Sequence, residues 1–246
     1  MSDDTKPSDK DVPLGGLASI PFGQLEYDRP TASQIYPVLK NAILKMDLEP
    51  GRLISETEVG ARFGASRTPV REAFAQLRDA DLITTRPSRG TFVTKLNLKR
   101  FLEAHFIREA IEIANVTKLC DVGLAPEFEQ QLSELIVRQQ AMVDQNTDLA
   151  FQALDDQFHL TLARATGFER VAGLLEREKM PLDRLRVLSL RSTDHQLVLI
   201  EEHKQMLDTI IRRDISAAIE ATRVHLASVL NALSSLAKKH ADYFDE

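Results

Sequence analysis

The sequence predicts a mainly α-helical protein with two domains: a small N-terminal one of three helices closed by a β-hairpin, and a larger C-terminal one built of helices. Three observations carry this prediction. The 246 residues are long for one compact domain and comfortable for two. Short β-prone runs flank a turn-rich segment between residues 82 and 94. From Leu98 onward, apolar residues recur at helical spacing with short interruptions.

Composition narrows the class of protein. Hydrophobic residues make up 43% and charged residues 28% of the chain, and no apolar run approaches the ~18 residues that a membrane span needs. The polar, acidic start of the chain lacks the features of a secretory signal, so we expect a cytoplasmic protein without membrane contact. The single cysteine, Cys120, lies in an apolar stretch and is interpreted as a core residue.

Charge is distributed unevenly along the chain. The formal net charge is −6, but residues 31–95 hold ten Lys/Arg and seven Asp/Glu, which gives +3 there and −9 in the remainder. This local excess weakly favours a nucleic-acid partner for the N-terminal domain.

The first elements follow from proline and helix-capping signals. Residues 1–30 contain four prolines without sustained periodicity, which indicates a flexible arm. Apolar residues at three- and four-residue spacing predict a first helix over 32–46. Ser55 and Glu58 have capping-box spacing, which starts a second helix that ends at Gly64. Ser66 is then the natural N-cap of a third helix.

A two-stranded β-hairpin should follow the third helix. The β-prone runs 82–85 and 91–94 enclose the turn-rich residues 86–90. Two helices joined by a tight turn and followed by such a hairpin predict a winged helix-turn-helix over residues 31–96.

The third helix has an apolar stripe for packing and a polar face near its N-terminus. Arg67 and Arg71, four residues apart, share that polar face and could reach base edges and phosphates in a DNA groove. Arg89 and Gly90 give the hairpin a basic tip. The alternative is that these arginines are ordinary solvated charges.

The C-terminal domain, residues 97–240, should be an all-α bundle. Helical segments are predicted near 98–120, 126–145, 148–165, 168–191, 195–212 and 214–238, and the short breaks favour antiparallel neighbours. Pro181 either kinks the fourth segment or marks a boundary within it.

Four residues of this bundle could meet at one point. Asp155 and His159 are four apart on one helix face, and His203 and His225 lie on two later helices. One carboxylate and three imidazoles suit Zn²⁺ or another borderline divalent ion. Such spacing also arises by chance, and a helical histidine is more often a capping or core group.

The run from Ser66 to Ala73, with the capped helix before it and the hairpin after it, resembles the GntR superfamily of bacterial transcription regulators over residues 32–95. The resemblance implies contacts with double-stranded operator DNA from seven residues. These are Ser66, Arg67, Thr68, Arg71, Arg89, Gly90 and Thr91.

Residues 98–238 resemble the FCD sensor domain of the FadR-type branch of that superfamily, through the segments 155–159, 202–203 and 223–226. The resemblance implies a divalent metal, Zn²⁺ first with Ni²⁺ or Mn²⁺ as alternatives. Its ligands would be Asp155, His159, His203 and His225.

The same resemblance points to effector-binding arginines. Arg108 lies in a stretch similar to the first sensor helix, where an arginine often meets an effector carboxylate. The alternative for Arg108 is a helix-surface ion pair with Glu112. Arg186 is a further candidate.

The expected function is a ligand-responsive bacterial transcription regulator that acts as a homodimer and is controlled by a small organic acid. We expect no enzyme, because no plausible nucleophile arrangement or phosphate-binding glycine loop is present. Two alternatives stay open: a metal-dependent enzyme in the bundle, and a regulator whose metal is purely structural.

Overall fold

The computed structural model describes residues 29–145 and 147–245, together with Ile20, Leu25 and Glu26. The arm predicted for residues 1–30 therefore lies almost entirely outside the described residues. The chain divides into two compact units, with the N-terminal unit ending at Val93 and the C-terminal unit beginning at Thr94.

The described part of the N-terminal unit contains three helices and a small antiparallel sheet. The helices are α1 (Thr31–Leu44), α2 (Glu56–Phe63) and α3 (Arg67–Asp79), and the strands are β1 (Leu53–Ile54), β2 (Ile83–Arg86) and β3 (Gly90–Val93). The strand order is β1-β3-β2, so the sheet has one strand more than the predicted hairpin. Because β1 has two residues, it carries no alternating pattern that sequence analysis can detect.

The joint between α2 and α3 forms for the predicted reasons. The Ser55 hydroxyl accepts hydrogen bonds from the amides of Thr57 and Glu58 at 3.2 and 3.4 Å. Gly64 ends α2 in the left-handed region at φ 63°, where a side chain would be strained. Ser66 occupies the N-cap position of α3, but its side chain makes no capping hydrogen bond.

The N-terminal core fixes which face of α3 is exposed. The predicted stripe Val70, Ala73, Phe74 and Leu77 is buried, and α3 packs against α1. The opposite face, with both arginines of its N-terminal turns, is exposed.

The described C-terminal unit is a helical bundle. Its helices are α4 (Leu98–Val122), α5 (Pro126–Asp144), α6 (Asp148–Ala165), α7 (Glu169–Glu178), α8 (Met180–Ser189), α9 (Thr193–Ile211) and α10 (Ile215–Lys239), followed by a short 3-10 helix at Ala241–Tyr243. The predicted mainly α-helical class is confirmed. Among the described residues, no helix is both long and apolar enough to span a membrane.

Pro181 marks a boundary. The fourth predicted segment divides at Lys179 into α7 and α8, and Pro181 occupies the first turn of α8. There its missing N–H sacrifices no intrahelical hydrogen bond, whereas in a continuous helix it would break one.

The core of the bundle is formed by apolar residues of α4, α5, α6, α9 and α10. Phe151, Phe158 and Met206 are completely buried in it. Cys120 is 2% exposed within this core, and burial raises the pKa of its thiol, which confirms its interpretation as a core residue.

Candidate metal centre and DNA-binding surface

Three helices bring Asp155, His159, His203 and His225 together. Asp155 and His159 share one face of α6, while α9 and α10 provide the other two histidines. One possible ligand atom from each residue lies within 4.8 Å of all the others. All four residues are at most 5% exposed, so the cluster is enclosed.

The outer nitrogen of each imidazole contacts a hydrogen-bond acceptor. His159 Nδ1 lies 2.5 Å from Glu112 Oε2, His203 Nδ1 lies 2.9 Å from Gln139 Oε1, and His225 Nδ1 lies 3.1 Å from Glu202 Oε2. An Nδ1–H that donates to such an acceptor leaves Nε2 as a lone pair in a neutral ring. The three Nε2 lone pairs therefore turn toward one another and toward Asp155.

With each ring protonated at Nδ1, the inner contacts have no proton to form ordinary hydrogen bonds. His159 Nε2 lies 3.0 Å from His225 Nε2, and His203 Nε2 lies 3.5 Å from Asp155 Oδ1. His203 Nε2 is buried without a hydrogen-bond partner. Lone pairs and a carboxylate repel one another at these distances, and a cation among them would reverse that repulsion. The arrangement can thus hold a divalent ion.

Asp155 is fixed by Arg186. One Asp155 oxygen accepts a short hydrogen bond from Arg186, whose other terminal nitrogen donates to Asp156 Oδ1 at 2.6 Å. Asp156 also pairs with Lys179 at 2.6 Å, so both of its oxygens are held by basic side chains. Asp155 is accordingly the carboxylate that belongs to the cluster.

Electrostatics keep the cluster in the protonation state that a metal needs. Burial alone would raise the pKa of Asp155, but the Arg186 guanidinium holds that pKa well below its usual value. Burial also lowers the pKa of His159 and places that of His203 well below its ordinary range. An ionised Asp155 carboxylate and neutral rings at His159 and His203 result.

Arg108 pairs with Glu112, as the alternative to effector binding expects, but the pair is buried and does not lie on the helix surface. Arg108 is 7% and Glu112 is 2% exposed, and Arg108 Nε lies 2.5 Å from Glu112 Oε1. Although burial favours the neutral acid, Arg108 and His159 hold the pKa of Glu112 well below its usual value. Glu112 therefore connects the Arg108 guanidinium to the His159 ring.

A small cavity of about 30 Å³ borders this cluster. Asp155, His225, Arg108 and Arg186 line its polar side, and Leu199, Leu226 and Val229 are among its apolar lining. This is far below the ~300 Å³ at which ligand pockets usually begin, so a ligand of several atoms fits only if side chains move. His195 lines this cavity as well, whereas His105 binds the Leu226 carbonyl at 2.9 Å and lies outside the cluster.

The candidate DNA-binding residues of α3 lie at its N-terminal end. Ser66, Arg67, Thr68 and Arg71 are all exposed. Arg71 Nε also forms a 3.2 Å ion pair with Glu56 of α2, whose side chain is partly exposed. That pair orients the Arg71 guanidinium but contributes little stability at the surface.

Two of the three candidate wing residues, Gly90 and Thr91, also have structural roles in the hairpin. Arg89 and Gly90 are exposed at the turn between β2 and β3, and Thr91 Oγ1 lies 3.0 Å from Thr85 Oγ1 across the hairpin. Gly90 has φ 108°, and a Cβ atom there would approach Leu53 Cδ1 to 2.6 Å. The backbone therefore requires glycine at this position whether or not it touches DNA.

Comparison with known proteins agrees with this architecture. The family described as bacterial regulatory proteins, gntR family, matches residues 31–93, and the FCD domain family matches residues 103–228. The HTH-type transcriptional repressor RspR of Escherichia coli (strain K12) is 30% identical over 223 residues, covering 91% of this chain and 97% of RspR.

This chain belongs to the GntR family of bacterial transcription regulators and carries an FCD domain. It corresponds to the FadR-type GntR regulators, which confirms the family recognised in the sequence. The matched families and named relatives are transcription regulators and not enzymes.

Two further relatives support the GntR assignment. An HTH-type transcriptional regulator in an unstable DNA locus of Streptomyces ambofaciens is 32% identical over 217 residues, covering 88% of this chain and 90% of the relative. The solved structure of E. coli McbR/YncC superposes with a TM-score of 0.67 at 17% identity, covering 85% of this chain and 98% of that one. At this identity the structural likeness shows the fold alone.

Two glutamates of α4 provide a test of the buried charge chain. Glu112→Gln should lower the free energy of unfolding by about 3 kcal/mol, because it leaves the buried Arg108 guanidinium without its carboxylate. Glu109→Gln is the matched control, since Glu109 pairs with the exposed Arg223 at 3.6 Å and its loss should cost less than about 1 kcal/mol. Urea denaturation measures both, and equal costs would contradict the assigned role of Glu112.

Proposed function

We propose that this chain is a ligand-responsive transcription regulator whose operator binding is controlled by a small carboxylate at a divalent-metal site in the helical bundle. The main support for the proposal is the convergence of three imidazole rings on the Asp155 carboxylate, with every Nδ1 next to a hydrogen-bond acceptor on the outside. Such outer anchoring is typical of histidines that bind metals.

The ligands we propose for the metal are Asp155, His159, His203 and His225. One oxygen and three nitrogens favour Zn²⁺, while Ni²⁺ and Mn²⁺ are alternatives with more coordination positions. A metal that retains an open position could bind a carboxylate oxygen of an effector.

The proposed effector is a small organic acid held by both the metal and an arginine. Arg108 and Arg186 line the same cavity as Asp155 and His225, which supports them as effector-binding residues. Both guanidiniums already pair with protein carboxylates, so the acid would compete with Glu112 or Asp155 for them. An acid that stabilises the metal-loaded protein against heat but leaves operator affinity unchanged would contradict the proposal that the acid regulates operator binding.

The proposed DNA contacts come from the N-terminal end of α3 and from the wing. Arg67 and Arg71 would contact bases, Ser66 and Thr68 would contact phosphates, and Arg89, Gly90 and Thr91 would lie along the backbone or minor groove. Regulators of this family are typically dimeric, so we propose a homodimer that binds paired half-sites in the cytoplasm.

A purely structural metal is the second candidate role for the site. The cavity of about 30 Å³ favours it, because that space does not admit an organic acid without rearrangement. Under this alternative, chelation would lower thermal stability while any effector response would persist.

Operator binding tests the DNA-contacting surface. On a duplex selected by the protein from random sequences, Arg67→Ala should lose about 1–3 kcal/mol of binding free energy, because a guanidinium that binds a base edge through two hydrogen bonds is removed. Arg78→Ala, at the exposed C-terminal end of α3, is the control and should bind normally. Unchanged affinity of Arg67→Ala in a gel-shift titration would refute the assignment.

Metal analysis tests the cluster. The wild-type chain should bind one Zn²⁺, and His203→Ala should weaken that binding by at least about 100-fold, because a ligand is lost. Glu202→Ala should weaken it by about 10–100-fold, because the His225 ring loses its hydrogen-bond acceptor. His240→Ala, outside the cluster, is the control, and calorimetry with elemental analysis gives all four affinities. Equal affinity in all variants would locate the metal elsewhere.

A further inference from the structure

The first residues of the C-terminal unit are held by an arginine of α8. Arg184 Nη1 donates to the Thr94 carbonyl at 2.5 Å, and Nη2 lies 3.4 Å from both Thr94 Oγ1 and the Lys95 carbonyl. Thr94 directly follows Val93, the last residue of β3. The guanidinium therefore holds the backbone immediately after the wing strand.

The C-terminal end of the chain holds the same segment from a second direction. The Leu96 amide donates to the Tyr243 carbonyl at 2.7 Å, and the Asp245 amide donates to the Leu96 carbonyl at 3.0 Å. Phe244 packs against a cluster that includes Leu182 and Leu185 of α8. Helix α8 therefore provides Arg184, which holds residues 94 and 95, and also packs against Phe244 of the C-terminal segment that holds Leu96.

The Arg184 contacts are costly to lose. Arg184 is 8% exposed, and burial lowers the pKa of its guanidinium to about 10, at which it keeps its charge near neutral pH. A buried charge needs hydrogen-bond acceptors, and the oxygens of Thr94 and Lys95 provide them. If α8 carried Arg184 away from these oxygens, the buried guanidinium would lose its hydrogen-bond acceptors. We therefore expect residues 94–96 to move with α8.

Arg186, two residues further along α8, binds Asp155 of the candidate metal centre. Two residues correspond to about 200° around a helix, so Arg184 and Arg186 project from nearly opposite sides. Helix α8 has ten residues and is bounded by the breaks at Lys179 and Leu190. One short helix therefore joins Asp155 on one side to residues 94–96 on the other.

We propose that Arg184 is the positioning residue through which the Asp155 site controls the segment Thr94–Leu96 that leads out of the DNA-binding unit. This inference rests on the proposed metal site. A cation held at Asp155 would share the carboxylate charge with Arg186 and would so weaken the Asp155–Arg186 pair. Arg184 would transmit any resulting shift of α8 to the backbone of residues 94–96.

Hydrogen–deuterium exchange of the full chain, with and without Zn²⁺ as the probe, tests this coupling. In the wild-type chain, Zn²⁺ should change the exchange rate of the Leu96 amide by at least about threefold. In Arg184→Ala, exchange at Leu96 should be about tenfold faster without metal and should no longer respond to Zn²⁺, because the preceding Thr94 and Lys95 lose the hydrogen bonds that hold their backbone. The Zn²⁺ affinity of this variant should stay within about twofold of wild type.

Two further variants, Arg184→Lys and Arg177→Ala, complete the test of this coupling. Arg184→Lys, which keeps the charge and can reach one carbonyl, should respond to an intermediate degree, and it replaces Arg184→Ala if that variant does not fold. Arg177→Ala, on the exposed side of α7, should behave as wild type. Zn²⁺ that fails to bind would overturn the proposed function and this inference together. Two other results would overturn this inference alone. In the first, Zn²⁺ binds without changing Leu96 exchange in the wild-type chain; in the second, it changes that exchange equally in Arg184→Ala and Arg184→Lys.

Discussion

The candidate site depends on the hydrogen bonds that fix the outer nitrogen of each imidazole. Glu112, Gln139 and Glu202 accept from His159, His203 and His225, and these bonds leave three lone pairs facing inward. The acceptors are themselves held, Glu112 by Arg108 and Glu202 by the Ser228 hydroxyl at 2.7 Å. Because each buried charge has a partner, the bundle tolerates a polar centre that would otherwise destabilise it.

Two of the buried arginines lie beside the candidate metal centre. Arg108 and Arg186 neutralise Glu112 and Asp155, and both also line the cavity beside the imidazoles. A carboxylate that entered this cavity would have to replace a protein carboxylate as partner of a guanidinium. The energy of binding would then be coupled to a rearrangement of α4 or α8, which is the requirement for an effector that alters a distant function.

The sequence predicts the structural features that depend on residues close together in the chain, such as helix ends and the exposed face of a helix. Ser55 and Gly64 define the ends of α2, and the apolar stripe of α3 determines its exposed face. Helical spacing and family resemblance together bring Asp155 and three histidines to attention. Spacing does not reveal which helix faces meet, so Gln139 of α5 carries no signal. Burial of Arg108 and Glu112 was not predicted, because an arginine and a glutamate four residues apart are typical of an exposed helix surface.

X-ray absorption at the zinc edge, on the full chain loaded with one equivalent of Zn²⁺, identifies the atoms that bind the ion. We expect three imidazole nitrogens at about 2.0–2.1 Å and an oxygen at about 2.0–2.2 Å from the metal. In His203→Ala the imidazole number should fall to two. A zinc environment with one imidazole or none, or one unchanged in His203→Ala, would contradict the claim that these lone pairs form a metal site.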